Sequence, residues 1–326
     1  MAKMTMVQAL NLALYQEMER DDRVIVLGED VGRDGGVFRV TDGLVDKFGE
    51  QRSLDTPLAE SGIVGMAIGM AVYGLRPVAE IQFSGFIYQA FHQIESHAAR
   101  LRHRSQGRFH VPLVIRAPYA GGVRALEHHS ESREVYFSHM PGLKMVIPSS
   151  PRNARALLAA AIRDPDPVIF FEPKSLYRAF REEVPEEEEV LPIGRSVIAQ
   201  EGKDITLISY GAMMRPTLEA AERLRAEDGV QAEVIDLLTI SPLDESLFAE
   251  SVRKTGRVVI VHEAHRTYGP GAEIASRIIE QSFWYLEAPV RRVTGFDVIV
   301  PLFSREQAYL PGVDRVLQAA RETLSV

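Results

Sequence analysis

The chain has 326 residues, with 37 Lys and Arg against 45 Asp and Glu, so its formal net charge at pH 7 is −8. This length predicts two domains that each bury a core of their own, and the negative charge gives no reason to expect binding to nucleic acid. Cysteine is absent, which excludes disulfides, thiolate nucleophiles, iron–sulfur clusters and cysteine-based zinc sites.

The chain begins with no recognisable targeting segment. Residues 1–22 mix apolar side chains with Gln, Asn, Glu and Arg at helical spacing, which is not the pattern of a signal peptide. The least polar stretch, residues 62–75, is shorter than the roughly 20 residues that cross a bilayer. We therefore expect a cytoplasmic protein that does not contact a membrane.

Along the first half, helical segments alternate with short runs rich in Val and Ile. Thr5 and Gln8 have the spacing of a capping box at the start of the first helix. The predicted helices are residues 4–20, 61–73, 86–104 and 151–163. The predicted strands are residues 24–27, 77–81, 112–116, 143–147 and 168–171. Continuous apolar strands between helices indicate a parallel sheet covered on both faces.

An acidic run interrupts this alternation at residues 181–192, and it contains proline. We interpret it as a linker, with a solvated surface strand or loop as the alternative. A second alternating series follows it. Its predicted strands are residues 205–210, 232–236, 258–261 and 291–293, and its predicted helices are 215–226, 244–253, 271–281 and 313–324. The predicted domains are therefore residues 1–185 and 186–326.

Several common signatures are missing, namely G-x-G-x-x-G after the first strand, a Walker A loop and G-x-S-x-G. Seven of the nine histidines lie between His92 and His139. His92 and His97 are five residues apart, so on an α-helix they do not share a face as the histidines of a zinc motif do. The adjacent His128 and His129 would point in different directions on an extended segment. A histidine zinc site is therefore disfavoured, and surface or packing roles are expected for most of these residues.

His129 differs from the other histidines because it follows a Gly-Gly loop after a predicted strand, where side chains reach ligands in open α/β folds. Glu29 and Asp30 follow the first buried strand at the same kind of position, with helix capping or a solvated loop as the alternative. Glu60 directly precedes an apolar helix. It either favours the helix N-terminus electrostatically or is a buried carboxylate beside a cofactor, and both interpretations stay open.

A series of short motifs is spread along almost the whole chain. They are Gly28-Glu29-Asp30-Val31-Gly32, Asp55-Thr56-Pro57-Leu58-Ala59-Glu60, Gly74-Leu75-Arg76-Pro77, Glu80-Ile81-Gln82-Phe83, His129-Ser130, Pro141-Gly142-Leu143-Lys144, Ala161-Ile162-Arg163-Asp164, Tyr210-Gly211, Asp236-Leu237, Lys254-Thr255-Gly256-Arg257 and Tyr309-Leu310-Pro311. In this order they resemble the beta subunit of the thiamine-diphosphate-dependent 2-oxoacid dehydrogenase component, acting on pyruvate or branched-chain 2-oxoacids.

The resemblance implies an α/β fold of two doubly wound three-layer domains: a transketolase-like pyrimidine-binding domain followed by a domain of the transketolase C-terminal type. It also implies that a separate alpha subunit holds Mg²⁺ and the diphosphate of thiamine diphosphate, through a motif that begins Gly-Asp-Gly. This chain contains no Gly-Asp-Gly, which fits that division. The expected partners are the alpha subunit, in an alpha2-beta2 heterotetramer, and a lipoyl acyltransferase core with its lipoyl domain.

Roles carry over from the family by position. Glu60 matches the glutamate that hydrogen-bonds a ring nitrogen of the aminopyrimidine, and His129 matches the histidine that orients the 2-oxoacid and assists acyl transfer. Glu29 matches an acidic residue between the two active sites. Leu58 and Phe86 match cofactor-binding positions that line the aminopyrimidine ring, with Gln82 nearby. The positions that match a K⁺ site found in some relatives are Leu113, Ala161, Ile162, Asp164 and Asp166.

The match has two departures: His92 stands where relatives often have Asp, and residues 301–307 differ from the Pro-Tyr-Ala stretch common near the C-terminus. Two alternative functions stay open, an acetoin dehydrogenase beta subunit and a non-catalytic assembly subunit of the same fold. A self-contained nicotinamide enzyme is disfavoured by the missing glycine fingerprint.

Overall fold

The computed structural model describes residues 2–326, which divide into two compact units. The N-terminal unit comprises residues 2–119 and 136–193, and the C-terminal unit comprises residues 120–135 and 194–326. Segment 120–135 thus belongs to the C-terminal unit, although the residues on either side of it in sequence belong to the N-terminal unit. The domain boundary after residue 185 stays a prediction.

The first part of the chain alternates strands and helices as expected. Its strands are β1 (Ala2–Met4), β2 (Val24–Gly28), β3 (Ser53–Asp55), β4 (Arg76–Glu80), β5 (Val114–Tyr119), β6 (Lys144–Val146), β7 (Val168–Pro173) and β8 (Glu182–Val184). Its helices are α1 (Met6–Arg20), α2 (Leu44–Phe48), α3 (Glu60–Val72), α4 (Leu101–Arg104), α5 (Glu134–Ser138) and α6 (Pro151–Arg163).

Helix α1 begins where the sequence predicts. The Thr5 hydroxyl accepts a hydrogen bond from the Gln8 backbone N–H at 3.4 Å, and the Gln8 side chain accepts one from the Thr5 N–H at 3.0 Å. This reciprocal pair confirms the capping box and satisfies two N–H groups that a helix start otherwise leaves without partners. The helix then buries one apolar face, on which Leu10 and Leu14 are fully buried.

The N-terminal unit is built on six parallel strands in the order β6-β7-β5-β4-β2-β3, which confirms the predicted parallel sheet. Strands β2, β4, β5 and β7 are buried along nearly their whole length, because their apolar side chains are covered on both faces. Strand β2 has β3 on one side and β4 on the other. The order of strands therefore reverses at β2, and such a switch point opens a crevice at the carboxyl ends of the strands.

The C-terminal unit repeats this architecture on a smaller scale. Its strands are β9 (Val197–Gln200), β10 (Ile205–Ser209), β11 (Ala232–Asp236), β12 (Thr239–Ser241), β13 (Val258–His265) and β14 (Arg291–Gly295). Its helices are α7 (Met214–Arg223), α8 (Glu245–Thr255), α9 (Pro270–Ser282), α10 (Glu306–Tyr309) and α11 (Val313–Leu324). Five strands pair in the order β14-β13-β10-β11-β9, and only β9 is antiparallel. The switch point of this sheet is β10.

The acidic run is not a free linker, and that prediction was wrong for this stretch. Strand β8 pairs antiparallel with β1, and its Val184 is fully buried. Glu189 forms an ion pair with Arg152 at 2.7 Å, and Glu188 pairs with Arg163. The like charges of the run are therefore offset by arginines of α6, which the sequence pattern of the run alone does not reveal.

No helix in residues 2–326 combines the length and the apolar composition that crossing a membrane requires.

Candidate active site

The carboxyl end of β2 lies at the switch point of the N-terminal sheet. The register sets Gly28 beside Asp55 of β3 and beside Glu80 of β4, so the chain leaves all three strands at one level. A Cβ atom on Gly28 would lie 2.6 Å from the Glu80 carbonyl oxygen, so this approach of the two strands requires glycine. This edge is the usual place for a ligand in a doubly wound sheet.

Two acidic residues follow β2 directly at this edge. Asp30 accepts a hydrogen bond from Gln82 Nε2 at 3.3 Å, which joins the loop after β2 to the loop after β4. Burial raises the pKa of the Glu29 carboxyl, and the charges of Asp30 and Glu60 raise it further. Because the charge of Glu60 raises the pKa of Glu29, these two predicted site residues lie within electrostatic reach of each other.

Glu60 is the first residue of α3, and only 6% of its surface is exposed. Ala59 at the N-cap provides no side-chain hydrogen bond to the first turn. The N–H groups of that turn and the positive end of the helix dipole therefore favour a negative charge at this point. Burial and position are compatible with both interpretations given above, a helix-stabilising residue and a carboxylate that faces a ligand.

Asp55 holds the loop that follows Glu29. Its carboxylate accepts hydrogen bonds from the Gly32 N–H at 2.6 Å and the Arg33 N–H at 3.2 Å. The next residue, Thr56, donates its N–H to the Gly28 carbonyl at 2.9 Å. Sequence reasoning did not assign a role to Asp55. The available signal was a carboxylate at the end of a strand, at the carboxyl edge of the sheet.

A chain of aromatic rings borders the same loops. Phe83 and Phe86 contact edge to face with ring centroids 5.9 Å apart, and Phe38 contacts Phe83 at 5.6 Å and Tyr177 at 5.0 Å. Leu58, two residues before Glu60, is 63% exposed. The loops that carry the carboxylates thus also present apolar surface of the kind that packs against a flat heterocycle.

A buried charge network lies among β4, β5 and β7. Arg116 is fully buried and binds Glu172 through Nε and Nη2, both at 2.8 Å, and it also binds Glu80. Tyr177 donates its hydroxyl proton to Glu172 at 2.6 Å. Burial raises the pKa of Glu80 despite the neighbouring guanidinium. Burial alone would lower the pKa of Arg116, but Glu172 and Glu80 together raise it. The network ties three strands together and leaves little freedom at Glu80, the strand end beside Gly28.

His129 belongs to the C-terminal unit, whereas Glu29, Leu58, Glu60, Gln82 and Phe86 belong to the N-terminal unit. It closes a short 3₁₀ turn, Glu127–His129, and is half-buried. The rings of His128 and His129 lie 4.0 Å apart. The expectation that these two side chains diverge was therefore wrong, because the segment is a tight turn rather than extended.

Glu134 follows His129 in the same segment and is fully buried. The Tyr210 hydroxyl donates to its Oε1 at 2.6 Å, while Oε2 has no hydrogen-bond partner among residues 2–326. Burial raises the pKa of Glu134 to about 7, although the bond from Tyr210 opposes the shift. This carboxyl group therefore takes up or releases a proton near neutral pH. Sequence reasoning missed it because burial of a lone glutamate leaves no local pattern.

The stretch predicted as one helix at residues 86–104 is three short pieces, and this changes the histidine geometry. They are a 3₁₀ turn (Ile87–Ala90), a π-helical turn (Gln93–Ala98) and α4. A π-helix brings residues five apart onto one face, and the rings of His92 and His97 accordingly contact edge to face at 5.1 Å. The prediction that they lie on different faces was wrong. Within residues 2–326, no group of three or more His, Cys, Asp or Glu side chains is arranged to hold a metal ion.

The oxygens at the positions that match a K⁺ site accept hydrogen bonds from other groups of the chain. The Ile162 and Asp164 carbonyls accept Arg76 Nη1 at 2.8 and 3.3 Å, and the Asp164 carboxylate binds the Lys144 ammonium at 2.7 Å. The Asp166 carboxylate binds Arg102. The two remaining carbonyls accept backbone N–H groups, Leu113 from Val168 at 2.9 Å and Ala161 from Asp164 at 3.3 Å. A carbonyl oxygen has a second lone pair, so each of these carbonyl oxygens can still coordinate a cation while it accepts its hydrogen bond.

Comparison with known protein families gives the class of the two units. Residues 2–179 match the family described as "Transketolase, pyrimidine binding domain", and residues 194–316 match "Transketolase, C-terminal domain". A solved structure described as "Split gene transketolase, inactive beta4 tetramer" superimposes with a TM-score of 0.82 at 25% identity and covers 99% of both chains. The fold is therefore that of the transketolase class, as the sequence predicts.

Comparison with curated relatives shows which family within the transketolase class the chain belongs to. The pyruvate dehydrogenase E1 component subunit beta of Acholeplasma laidlawii is 50% identical over 322 residues, which are 99% of this chain and 98% of the relative. The proteins with the same description from Staphylococcus epidermidis and Staphylococcus aureus are 51% and 49% identical over 324 residues, 99% of each chain. The chain belongs to the family of 2-oxoacid dehydrogenase E1 beta subunits, and this confirms the resemblance found in its sequence.

Proposed function

We propose that the chain is the beta subunit of a pyruvate dehydrogenase E1 component and is active only in an alpha2-beta2 heterotetramer. The observation that carries the proposal is the acidic edge at β2–β4, where the charge of the buried Glu60 raises the pKa of Glu29. The chain that carries this edge is about 50% identical to such subunits over nearly its full length. The absence of Gly-Asp-Gly from the sequence supports an alpha subunit that holds Mg²⁺ and the diphosphate.

The residues at this edge fit the aminopyrimidine half of thiamine diphosphate. A nitrogen heterocycle needs a hydrogen-bonding carboxyl and apolar walls, and the chain offers Glu60 for the first and Leu58 and Phe86 for the second, with Gln82 beside them. When bound, the cofactor would supply the carbon nucleophile that attacks the 2-oxo group, and it would accept the electron pair of the C–C bond that breaks as CO₂ leaves.

Glu60 is the group that we expect to exchange a proton with the ring nitrogen. Its burial excludes water from competing for that hydrogen bond, and α3 fixes its position as the first residue of the helix. Glu29 has a raised pKa and lies within electrostatic reach of Glu60, so it is suited to receive or return a proton. Both residues move protons, and neither forms a covalent bond to substrate.

His129 is proposed to orient the 2-oxoacid and to assist transfer of the acyl group to the lipoyl group. An imidazole N–H can donate a hydrogen bond to a carboxylate or carbonyl oxygen of the substrate. The acyl group then leaves on a lipoyl domain, so the proposed partners are the alpha subunit and the lipoyl acyltransferase core. The cytoplasm stays the predicted compartment.

A K⁺ ion is proposed to bind the carbonyl oxygens of Leu113, Ala161 and Ile162, together with oxygens of Asp164 and Asp166. Raising the concentration of KCl, against choline chloride at equal ionic strength, should raise the unfolding temperature of the chain, because a ligand of the folded state stabilises it by mass action. Equal unfolding temperatures in the two salts at every concentration would remove K⁺ from the proposal.

The decisive experiment combines dependence on the alpha subunit with Glu60→Gln. The chain alone should not decarboxylate pyruvate, and activity should develop when the alpha subunit, Mg²⁺ and thiamine diphosphate are added. Glu60→Gln should lower that activity by about 100-fold or more, the usual loss for a proton-transfer group, and should slow exchange of the cofactor C2 proton. Full turnover by the chain alone would overturn the shared site.

The control for Glu60→Gln is Glu17→Gln. Glu17 is equally buried in the same unit, but it lies on α1 and pairs with Arg20 and Arg163. It should retain activity once folded and assembled. Assembly of each variant with the alpha subunit is measured by analytical ultracentrifugation, so that a lost proton transfer is distinguished from a lost complex. Unchanged C2 exchange in an assembled Glu60→Gln variant contradicts the role given to Glu60.

A further inference from the structure

Segment 120–135, which carries His129, has a backbone that is costly to maintain. Ala120, Gly122 and Arg124 all have positive φ angles, of 72°, 91° and 57°. Two of these residues are not glycine, and side chains make the left-handed region unfavourable. Such backbone persists only where the surrounding structure enforces it, and it is concentrated at functional sites.

Glu306 is one of two buried carboxylates that enforce it. It is 1% exposed at the start of α10, and its two oxygens accept the N–H groups of Gly122 and Arg124, each at 2.9 Å. One carboxylate thus binds the N–H groups of two residues, Gly122 and Arg124, that both have positive φ angles. A buried charge needs donors in compensation, and here the loop backbone supplies them.

Glu263 holds the segment at two further points. It is 3% exposed on β13, and its Oε1 accepts the Gly121 N–H and the Ser132 hydroxyl, both at 2.8 Å. A Cβ atom on Gly121 would lie 3.2 Å from Glu306 Oε1, so glycine permits this close approach. The contacts with Glu263 therefore fasten the segment on both sides of His129.

The segment lies over the carboxyl ends of β10 and β13. Tyr210 directly follows β10 and binds Glu134 of the segment, while Glu263 lies near the end of β13. Strand β10 is the switch point of this sheet, where a doubly wound unit ordinarily binds a ligand. In the C-terminal unit, part of the chain itself takes that position.

We propose that Glu263 and Glu306 are positioning residues, which hold the backbone of segment 120–135 so that His129 is oriented for reaction. This inference rests on the proposed function of His129. Through these backbone hydrogen bonds, the C-terminal unit contributes to the chemistry. Residue 306, which lies in the stretch 301–307 that departs from the family pattern, thereby has a proposed role.

Hydrogen–deuterium exchange in the reconstituted heterotetramer tests the positioning directly. In Glu306→Gln, an amide nitrogen replaces one acceptor oxygen, so one of the N–H groups of Gly122 and Arg124 loses its acceptor. Exchange at the amide that loses its acceptor should become about tenfold faster or more, the effect of one lost hydrogen bond, while β13 exchanges as before. The matched control is Glu233→Gln on β11, which is also buried but pairs with Lys254. Unchanged exchange at both Gly122 and Arg124 would overturn the positioning.

The effect on the reaction is tested by combining variants. Glu306→Gln should slow acylation of a lipoyl domain by about 10- to 100-fold, since small misplacements of a catalytic group have effects of this size, with little change in KM. In a His129→Ala background it should slow the reaction no further, because the group that it positions is gone. An equal loss in both backgrounds would contradict action through His129.

A milder variant guards against loss of the fold, because Glu263→Gln retains Oε1 as an acceptor for both of its donors. It should slow acylation less than Glu263→Ala does. Full activity of His129→Ala alone would overturn the proposed function of His129, whereas the exchange measurement decides the positioning by Glu306 independently of activity.

Discussion

Glu134 should make the stability of the C-terminal unit decrease as the pH rises through neutrality. The carboxyl group is fully buried, and its pKa is raised from 4.5 to about 7 in the folded chain. Between these two values the folded chain binds more protons than the unfolded chain. The stabilisation by the protonated form is therefore complete below pH 4.5 and is lost as the pH rises through about 7.

The magnitude follows from the size of the shift. At about 1.4 kcal/mol per pKa unit, a rise from 4.5 to about 7 makes the ionised carboxylate cost the folded state about 3 kcal/mol. Glu134→Gln removes this titration but retains an acceptor for Tyr210. The variant should gain about 2–3 kcal/mol relative to the parent between about pH 5 and about pH 8.

The assay is urea unfolding of parent and variant at several pH values, followed by circular dichroism. The buried amide adds a cost that does not depend on pH, so only the change of the difference with pH is diagnostic. Tyr210→Phe is the companion variant: it removes the bond that lowers the pKa of Glu134, so the pH-dependent loss should move to higher pH. A stability difference between parent and Glu134→Gln that stays constant with pH would refute the reasoning.

Three further substitutions test the N-terminal unit by thermal and urea unfolding. Arg116→Met leaves the Glu80 and Glu172 carboxyls buried without their cation and should cost about 3–5 kcal/mol at neutral pH, with a smaller loss in acid as they bind protons; an equal loss at both pH values would contradict this. Tyr177→Phe removes the bond to Glu172 and should cost about 1–3 kcal/mol, against no change if that bond is unimportant. Gly28→Ala places a Cβ atom against the Glu80 carbonyl and should cost about 1–3 kcal/mol; wild-type stability would mean that β2 and β4 can separate.

The repeating order of strands and helices could be predicted because each element has a local signal. Helix α6 has proline at its first position and forms at residues 151–163 as expected, and α1 begins at its capping box. The short strands β1, β3 and β8 were missed. Each has only three residues, too few for a periodic pattern. Strands β1 and β8 form because they pair with each other, although they lie near opposite ends of the N-terminal unit in sequence.

The candidate site divides in the same way. Glu29 and Glu60 could be proposed because each stands at the edge of a recognisable strand or helix. Glu263 and Glu306 could not, because they act through hydrogen bonds to backbone more than 130 residues away in sequence. The contact of His92 with His97 was also hidden, because an apolar pattern does not distinguish a π-turn from an α-helix.

The exchange of segment 120–135 into the C-terminal unit has a consequence for how this chain can be cut or recombined. The gene cannot be divided into two folding modules by one cleavage near residue 193, because the polypeptide passes between the units three times. A fragment that starts at residue 194 would retain Glu263 and Glu306 but lose the N–H groups that they bind. Chimeras between relatives should therefore exchange residues 120–135 together with residues 194–326, because these two separate stretches of sequence form one folding unit.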